Sequence, residues 1–372
     1  MTDNITQPLI VLPTKVRRTY RGGYLIERWH GETESGDSDR PEEWLASITK
    51  AINPGFPLIE NEGLSEILLN GEKKLLREAI AAAPEELLGI NHVKQYGQEL
   101  GVLVKLIDSA ERLSIQVHPD KPFAKRYFHS DYGKTECWHI LETRWVNGQE
   151  PYLLIGFKPG VTKEYWQKLY AEQDVEAMLA CLNKVIPRPG DTFLISGGQP
   201  HAIGSGCFLL EIQEPTDYTL RSERTMQDGT LMPEQLIHQG LGEELLMDCF
   251  HYEGMTGEQL DACCRVESQI TSFSEAEYCT LLIGADTTPC FTMQQICCQR
   301  IQDFYPAGAS ILIVLEGRGE IRWKESSIPL KKGSQIFLPA GVRHFALCGE
   351  GGLNCIRCYP PGTVPDVPTC KQ

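Results

Sequence analysis

Two stretches 143 residues apart carry the same punctuation, and this echo constrains the fold more than any other feature of the chain. "PGDTFLISGGQPHAI" (Pro189–Ile203) and "KKGSQIFLPAGVRHFAL" (Lys331–Leu347) align so that Gly190 meets Gly333, Gly198 meets Gly341 and His201 meets His344. Each copy reads as a glycine turn, an apolar strand, a second glycine-containing turn and a histidine opening the next strand. Similarity at one fixed offset of this size indicates a duplicated domain rather than a short solenoid repeat. Short strands divided by glycine turns favour a sandwich or a jelly-roll barrel.

The repeated pattern also resembles the second motif of cupin barrels. The fold expected is therefore mainly β with helical insertions: two cupin-like jelly-roll β-barrels plus a small helical region. Residues 1–50 mix strand-like pieces with polar loop, and "SGDSDRPEEWLASI" reads as a loop opening a short helix at Pro41, a residue suited to a first helical turn. Residues 58–100, 161–184 and much of 232–263 place apolar residues at helical spacing. From Tyr278 onward short strands punctuated by Gly and Pro run to the end. The expected division is an N-terminal barrel at 1–225 with a helical insertion at about 58–100, a helical connection at 226–265, and a C-terminal barrel at 266–372.

A formal charge of −15 over 372 residues argues against nonspecific binding to nucleic acid or to an anionic membrane. It leaves room for an anionic substrate held by a few local Lys and Arg residues. No segment approaches the ~18 consecutive apolar residues of a membrane span. "MTDNITQPLIVLP" lacks the basic region and apolar core of a secretory signal. The 14 cysteines are scattered and include the adjacent pairs Cys263–Cys264 and Cys297–Cys298, unlike the dense framework of a small secreted domain. They are expected to be reduced thiols in a cytoplasmic protein, some packed as small hydrophobes.

"LSIQVHPD" (Leu113–Asp120) and "GKTECWHI" (Gly133–Ile140) put polar groups inside strand-like apolar stretches. A buried polar atom without a partner costs a few kcal/mol, so protein, water or a metal ion must satisfy each one. Strand alternation points Gln116 and His118 one way, and Ile115 and Val117 the other. The same rule groups Glu136, Trp138 and Ile140, with Cys137 and His139 opposite. His201, from the first copy of the echo, completes a set of two imidazoles, one carboxylate and one amide. Such a mixed N/O set suits a borderline divalent ion. With one anionic ligand the site keeps net positive charge and an open position for substrate oxygens. His139 faces away and is expected to be a core residue. His344 lacks neighbouring ligands, so the second barrel is expected to hold no metal.

"LSIQVHPD", "GKTECWHI" and "GGQPHAIGSGCFLLEIQEPTDYTLR", with the opening "RGGYLIERW…PEEWLAS", together resemble type I mannose-6-phosphate isomerases of the shorter bacterial form. The likeness spans residues from about 17 to 225 and then weakens to barrel level. It implies one Zn²⁺ per chain on Gln116, His118, Glu136 and His201. It also implies Lys134, Glu211 and Arg221 as catalytic groups, and Lys105, Ser114 and Asp217 as substrate contacts. Longer members of the family read K-P-E where this chain has K-T-E. The activity implied is interconversion of mannose 6-phosphate and fructose 6-phosphate through a cis-enediol, the catalytic barrel being the N-terminal one. The partner implied is a phosphorylated hexose, with neither nucleic acid nor membrane. Two other readings stay open: a cupin oxygenase with Fe(II) on two His and a carboxylate, against which Gln116 weighs, and a metal-free sugar-binding or regulatory cupin. An isomerase or epimerase of another phosphorylated sugar is the nearest variant.

Overall fold

The computed structural model describes residues 5–272 and 277–370. Three sheets organise the described strands. The first runs Thr192–Ile195, Glu136–Thr143, Cys207–Gln213, Leu103–Asp108, Glu42–Leu45, Lys15–Val16, and is antiparallel throughout. The second runs Leu182–Val185, Leu153–Phe157, His201–Ile203, Gln116–Val117, Leu220–Arg221. The third is larger and contains the strands of the C-terminal half.

Period-two alternation decides how these sheets stack. Ile107, Trp138, Ile140, Phe193 and Leu209 of the first sheet share one apolar cluster with Leu153, Ile155 and Ile203 of the second. The two sheets therefore face each other, and the polar residues in phase with these apolar ones point into the same space. The outer face of the second sheet, with Ile115, Val117 and Leu220, packs under the helices through Trp166, Leu169, Leu236 and Leu246. The outer face of the first sheet, with Val104, Leu106, Cys137 and Ile212, packs against Ile311, Ile313, Ile356 and Cys358 of the C-terminal half. Each large side chain withdrawn from water in this way contributes roughly 1.5–3 kcal/mol.

Both copies of the echo adopt the expected form. Gly190 and Gly333 hold φ of 93° and 89°, the left-handed region that glycine enters without a Cβ penalty. Strands Thr192–Ile195 and Gln335–Leu338 follow, and then His201 and His344. Helices lie at Lys163–Glu172 and Val175–Ala180, the first capped by Thr162 Oγ1 accepting from the Tyr165 amide at 3.2 Å. Three more short helices, Glu234–His238, Glu243–Asp248 and Gly257–Cys264, occupy the expected helical connection.

Other elements correct the sequence reading. The helix expected at Pro41 is the strand Glu42–Leu45, flanked on both sides by strands that supply its hydrogen bonds. Tertiary pairing overrides local preference there. Within the insertion expected to be helical at about 58–100, helices begin only at Leu76 and run in three short pieces to Tyr96. Before them Glu66–Leu69 and Glu72–Leu75 form a hairpin. Asn70 and Gly71 close it with φ of 53° and 82°, the two-residue turn whose twist matches paired strands. The helix Tyr24–His30 stands in a region read as strand and loop. Leu9–Val11 pairs with both Gln335–Leu338 and Glu66–Leu69, so backbone pairing crosses the division expected between residues 265 and 266.

Most cysteines are buried among apolar side chains. Cys355 and Cys358 have C-x-x-C spacing, but on a strand positions three apart face opposite ways. Cys355 accordingly sits in the core of the C-terminal half and Cys358 in the seam against the first sheet.

His139 occupies the outer face of its strand, 4% exposed, with Nδ1 2.9 Å from Thr192 Oγ1. Burial pushes its pKa down to about 4. A folded-state pKa below the unfolded value of ~6.5 gives stability that is present above pH ~6.5 and is lost as pH falls through about 4, on the order of 3 kcal/mol in all. Urea midpoints measured between these pH values should fall less steeply for His139→Gln than for the parent; equal slopes would show that this residue carries no such linkage.

Candidate metal centre

Register places the polar residues side by side. On the second sheet His201 pairs with Gln116, and Gln116 pairs with Arg221. On the facing sheet Gln213 pairs with Glu136, and Glu211 lies between Trp138 and Lys105. His118 follows the strand Gln116–Val117 in phase with Gln116, as alternation requires.

The side chains converge. His118 Nε2 and His201 Nε2 are 3.2 Å apart. Glu136 approaches both, with Oε2 3.1 Å from His118 Nε2 and Oε1 3.4 Å from His201 Nε2. The Gln116 amide lies 3.1 Å from His201 Nε2. His118, Glu136 and His201 are all buried, and their ligand atoms fall within 4.8 Å of one another.

Hydrogen bonds behind the rings fix what the front presents. His118 Nδ1 lies 2.8 Å from the Tyr218 carbonyl, and His201 Nδ1 2.9 Å from the Gln199 carbonyl. A carbonyl only accepts, so each neutral imidazole carries its hydrogen on Nδ1 and turns the Nε2 lone pair inward. Burial lowers the pKa of both rings, that of His118 to about 3 with help from Lys134, so neither takes a proton near neutrality. Burial alone would raise the Glu136 pKa, but the Lys134 ammonium beside it holds it well below the usual carboxylate range. Two lone pairs and a carboxylate thus aim at one dry point, an arrangement of acceptors that calls for a cation. In this structure the cation is Lys134, whose Nζ lies 2.6 Å from His118 Nε2 and 2.8 Å from Glu136 Oε2. The donor set, two imidazole nitrogens, a carboxylate and an amide able to turn its oxygen inward, fits a borderline divalent metal.

Around this point lies a ring of buried charge. Lys105 Nζ is 3.0 Å from Glu211 Oε1 and 3.9 Å from Glu42 Oε2. Trp138 Nε1 bridges Glu136 and Glu211 at 3.1 Å each. The Glu211 pKa is raised by burial and by Glu136, against the pull of Lys105. Arg221 donates through Nη1 to the Leu236 and Thr219 carbonyls, at 2.6 and 3.4 Å. Burial and the nearby Arg18 push its pKa down to about 10, so it stays cationic at neutral pH. Lys105, Ser114, Gln116, Lys134, Glu211, Asp217 and Arg221 all line one cavity.

Sequence reasoning missed three more members of this ring: Arg18, Tyr20 and Glu42. Glu42 accepts from Tyr20 Oη at 2.8 Å, Trp44 Nε1 at 2.9 Å and Arg18 Nε at 2.9 Å. Despite its burial, Arg18 and Lys105 lower its pKa to about 2. The signal was alternation in "EEWL", which sends Glu42 and Trp44 inward together, and it was hidden by the helical reading of that stretch. His344 stands outside this cluster; its side chain is 43% exposed and its Nε2 pairs with Asp303 Oδ1 at 2.8 Å.

Two family models match the chain: "Phosphomannose isomerase type I, catalytic domain" over residues 61–136, and "Mannose-6-phosphate isomerase, cupin domain" over residues 292–360. The mannose-6-phosphate isomerase ManA of Bacillus subtilis is 28% identical over 265 residues, covering 70% of this chain and 75% of the relative. The chain belongs to the type I mannose-6-phosphate isomerase family. The crystal structure of the Bacillus subtilis mannose 6-phosphate isomerase superposes with a TM-score of 0.73 at 21% identity, covering 95% of this chain and 99% of that one. A zinc-bound mannose 6-phosphate isomerase structure gives a TM-score of 0.70 at 17% identity, with 95% and 99% covered. Both show the shared fold.

Among the described residues, metal-ligating groups gather around His201 and not around His344, which yields a paired outcome. His201→Ala should abolish tight divalent-metal uptake, measured by elemental analysis after dialysis, whereas His344→Ala should retain it. Metal loss from folded His344→Ala would contradict the single-site reading.

Proposed function

We propose that this chain interconverts mannose 6-phosphate and fructose 6-phosphate through a cis-enediol, with one Zn²⁺ per chain held by Gln116, His118, Glu136 and His201. The observation that carries the proposal is the convergence of inward lone pairs and a carboxylate in a member of this family. A zinc-bound structural neighbour supports the choice of metal. When bound, such an ion acts as a Lewis acid toward the carbonyl and adjacent hydroxyl oxygens of the sugar.

The reaction moves a proton from C2 to C1 and another from O2 to O1, with no net oxidation and no nucleotide. Glu211, its pKa raised by burial and by Glu136, is suited to take and return the carbon proton. Lys134 lies at the mouth of the ligand set, where it donates to substrate oxygen; it is the alternative proton carrier. Arg221 has hydrogen bonds to carbonyls and is suited to bind phosphate or the developing enediolate.

Formal charge supports a phosphorylated substrate. Arg18, Lys105, Lys134 and Arg221 balance Glu42, Glu136, Glu211 and Asp217, four against four. A divalent ion leaves this ring at +2, which a phosphate monoester of −1.5 to −2 charge offsets. Lys105 and Ser114 are proposed to help hold the sugar phosphate. We assign this chemistry to residues 1–225, and we place the enzyme in the cytoplasm, where buried thiols stay reduced. Among the described residues no helix is long and apolar enough to cross a membrane.

A coupled assay across phosphorylated aldoses tests the reading: mannose 6-phosphate should be turned over best, chelation should abolish turnover, and zinc should restore it. Full activity in metal-free protein, or a marked preference for another sugar, would overturn it. Arg221→Lys keeps the charge but loses the planar fork, and should lower kcat/KM about 10²-fold, roughly 2.7 kcal/mol of transition-state stabilisation. Lys134→Met should lose turnover while keeping its zinc and its melting temperature.

A further inference from the structure

Asp217 borders the cavity, yet its carboxylate is already committed. Arg18 grips it with two parallel bonds, Nη1 to Oδ2 at 3.1 Å and Nη2 to Oδ1 at 3.0 Å. The Ile52 amide donates to Oδ2 at 2.8 Å, and Gln239 Nε2 donates to the Asp217 carbonyl at 3.0 Å. Arg18 is itself immobilised: its Nε meets Glu42 Oε2 at 2.9 Å, and its guanidinium lies 5.0 Å from the Trp44 ring centroid. Arg18 and Asp217 are 7% exposed each, so the pair is dry and strongly directional.

The segment that this pair holds touches the metal centre at several places. Glu214 Oε2 accepts from the Thr135 amide at 3.0 Å, and Thr216 Oγ1 donates to the Gly133 carbonyl at 2.7 Å. Those bonds fall on either side of Lys134. Next to Asp217, the Tyr218 carbonyl takes the hydrogen of His118 Nδ1 at 2.8 Å. That bond is the one that turns the Nε2 lone pair of His118 inward.

We propose that Arg18 is a positioning residue for the metal centre: by clamping Asp217 it fixes the Tyr218 carbonyl that sets the tautomer and orientation of His118. The inference rests on the metal-site reading given above and assigns Asp217 to this clamp instead of to contact with substrate. Groups that orient metal-bound imidazoles through their far nitrogen change metal affinity by about 10- to 100-fold when removed. Arg18 acts one link further back, through a bidentate bond that lysine cannot reproduce.

The test uses the full chain with Zn²⁺ competed against a chromophoric chelator, and the visible spectrum of the Co²⁺-loaded protein as a second readout. Arg18→Gln and Asp217→Asn should each weaken zinc about tenfold or more and shift the cobalt bands. The double variant should be no weaker than the poorer single one, because either change breaks the same link. Arg18→Lys should recover part of the loss. Melting temperatures of the metal-free forms control for folding; should Arg18→Gln fail to fold with Glu42 and Asp217 left unpaired, Asp217→Asn and Arg18→Lys decide. Folded Asp217→Asn that binds zinc within twofold of the parent overturns the inference, and a lowered kcat/KM alongside would make the pair a substrate contact. A parent protein that binds no zinc removes the metal reading itself, and this inference with it.

Discussion

Three electron-rich groups pointed at one another in a dry space form the constraint on which the rest of this structure depends. His118, His201 and Glu136 would repel without a cation between them, and burial strengthens every such term by lowering the local dielectric. The surrounding protein is arranged to hold that repulsion in place. Carbonyls behind both rings fix their tautomers, Trp138 ties the carboxylate to Glu211, and two sheets clamp the ligands from opposite sides. The proposed function follows from the same constraint: a site that must hold positive charge suits an oxygen-rich, anionic ligand.

Sheet register explains why so few strands suffice. Arg221, Gln116 and His201 are lateral neighbours across three strands, while Glu136, Glu211 and Lys105 project from three strands of the facing sheet. A one-residue slip in any of these strands would turn its polar residues outward and an apolar set inward. The clusters of apolar residues on both faces of each sheet therefore guard the chemistry as well as the stability.

Much of this was legible in the chain. Alternation in "IQVH" and "ECWH" separated Gln116, His118 and Glu136 from Ile115, Val117, Cys137 and His139, and the structure keeps that separation. The echo likewise foretold two matching turn–strand–turn units. What was not legible depends on partners distant in sequence. "EEWL" has no local reason to be a strand until Leu103–Asp108 and Lys15–Val16 lie beside it. The pairing of Arg18 with Asp217 spans 199 residues, and nothing near either one announces it. In "EILLNGEKKLL" a helical spacing of apolar residues obscured Asn70-Gly71, although that dipeptide is itself a hairpin signal.

The strand Leu9–Val11 has its partner at Gln335–Leu338, near the opposite end of the chain. Ribosomes add about 5–20 residues per second, so this early segment waits on the order of tens of seconds for the strand that completes its ladder. Its exposed edge meanwhile remains open to incorrect pairing with other chains. Closure of this ladder is therefore a late event in synthesis, because Leu9–Val11 must keep its place beside Glu66–Leu69 until Gln335–Leu338 arrives.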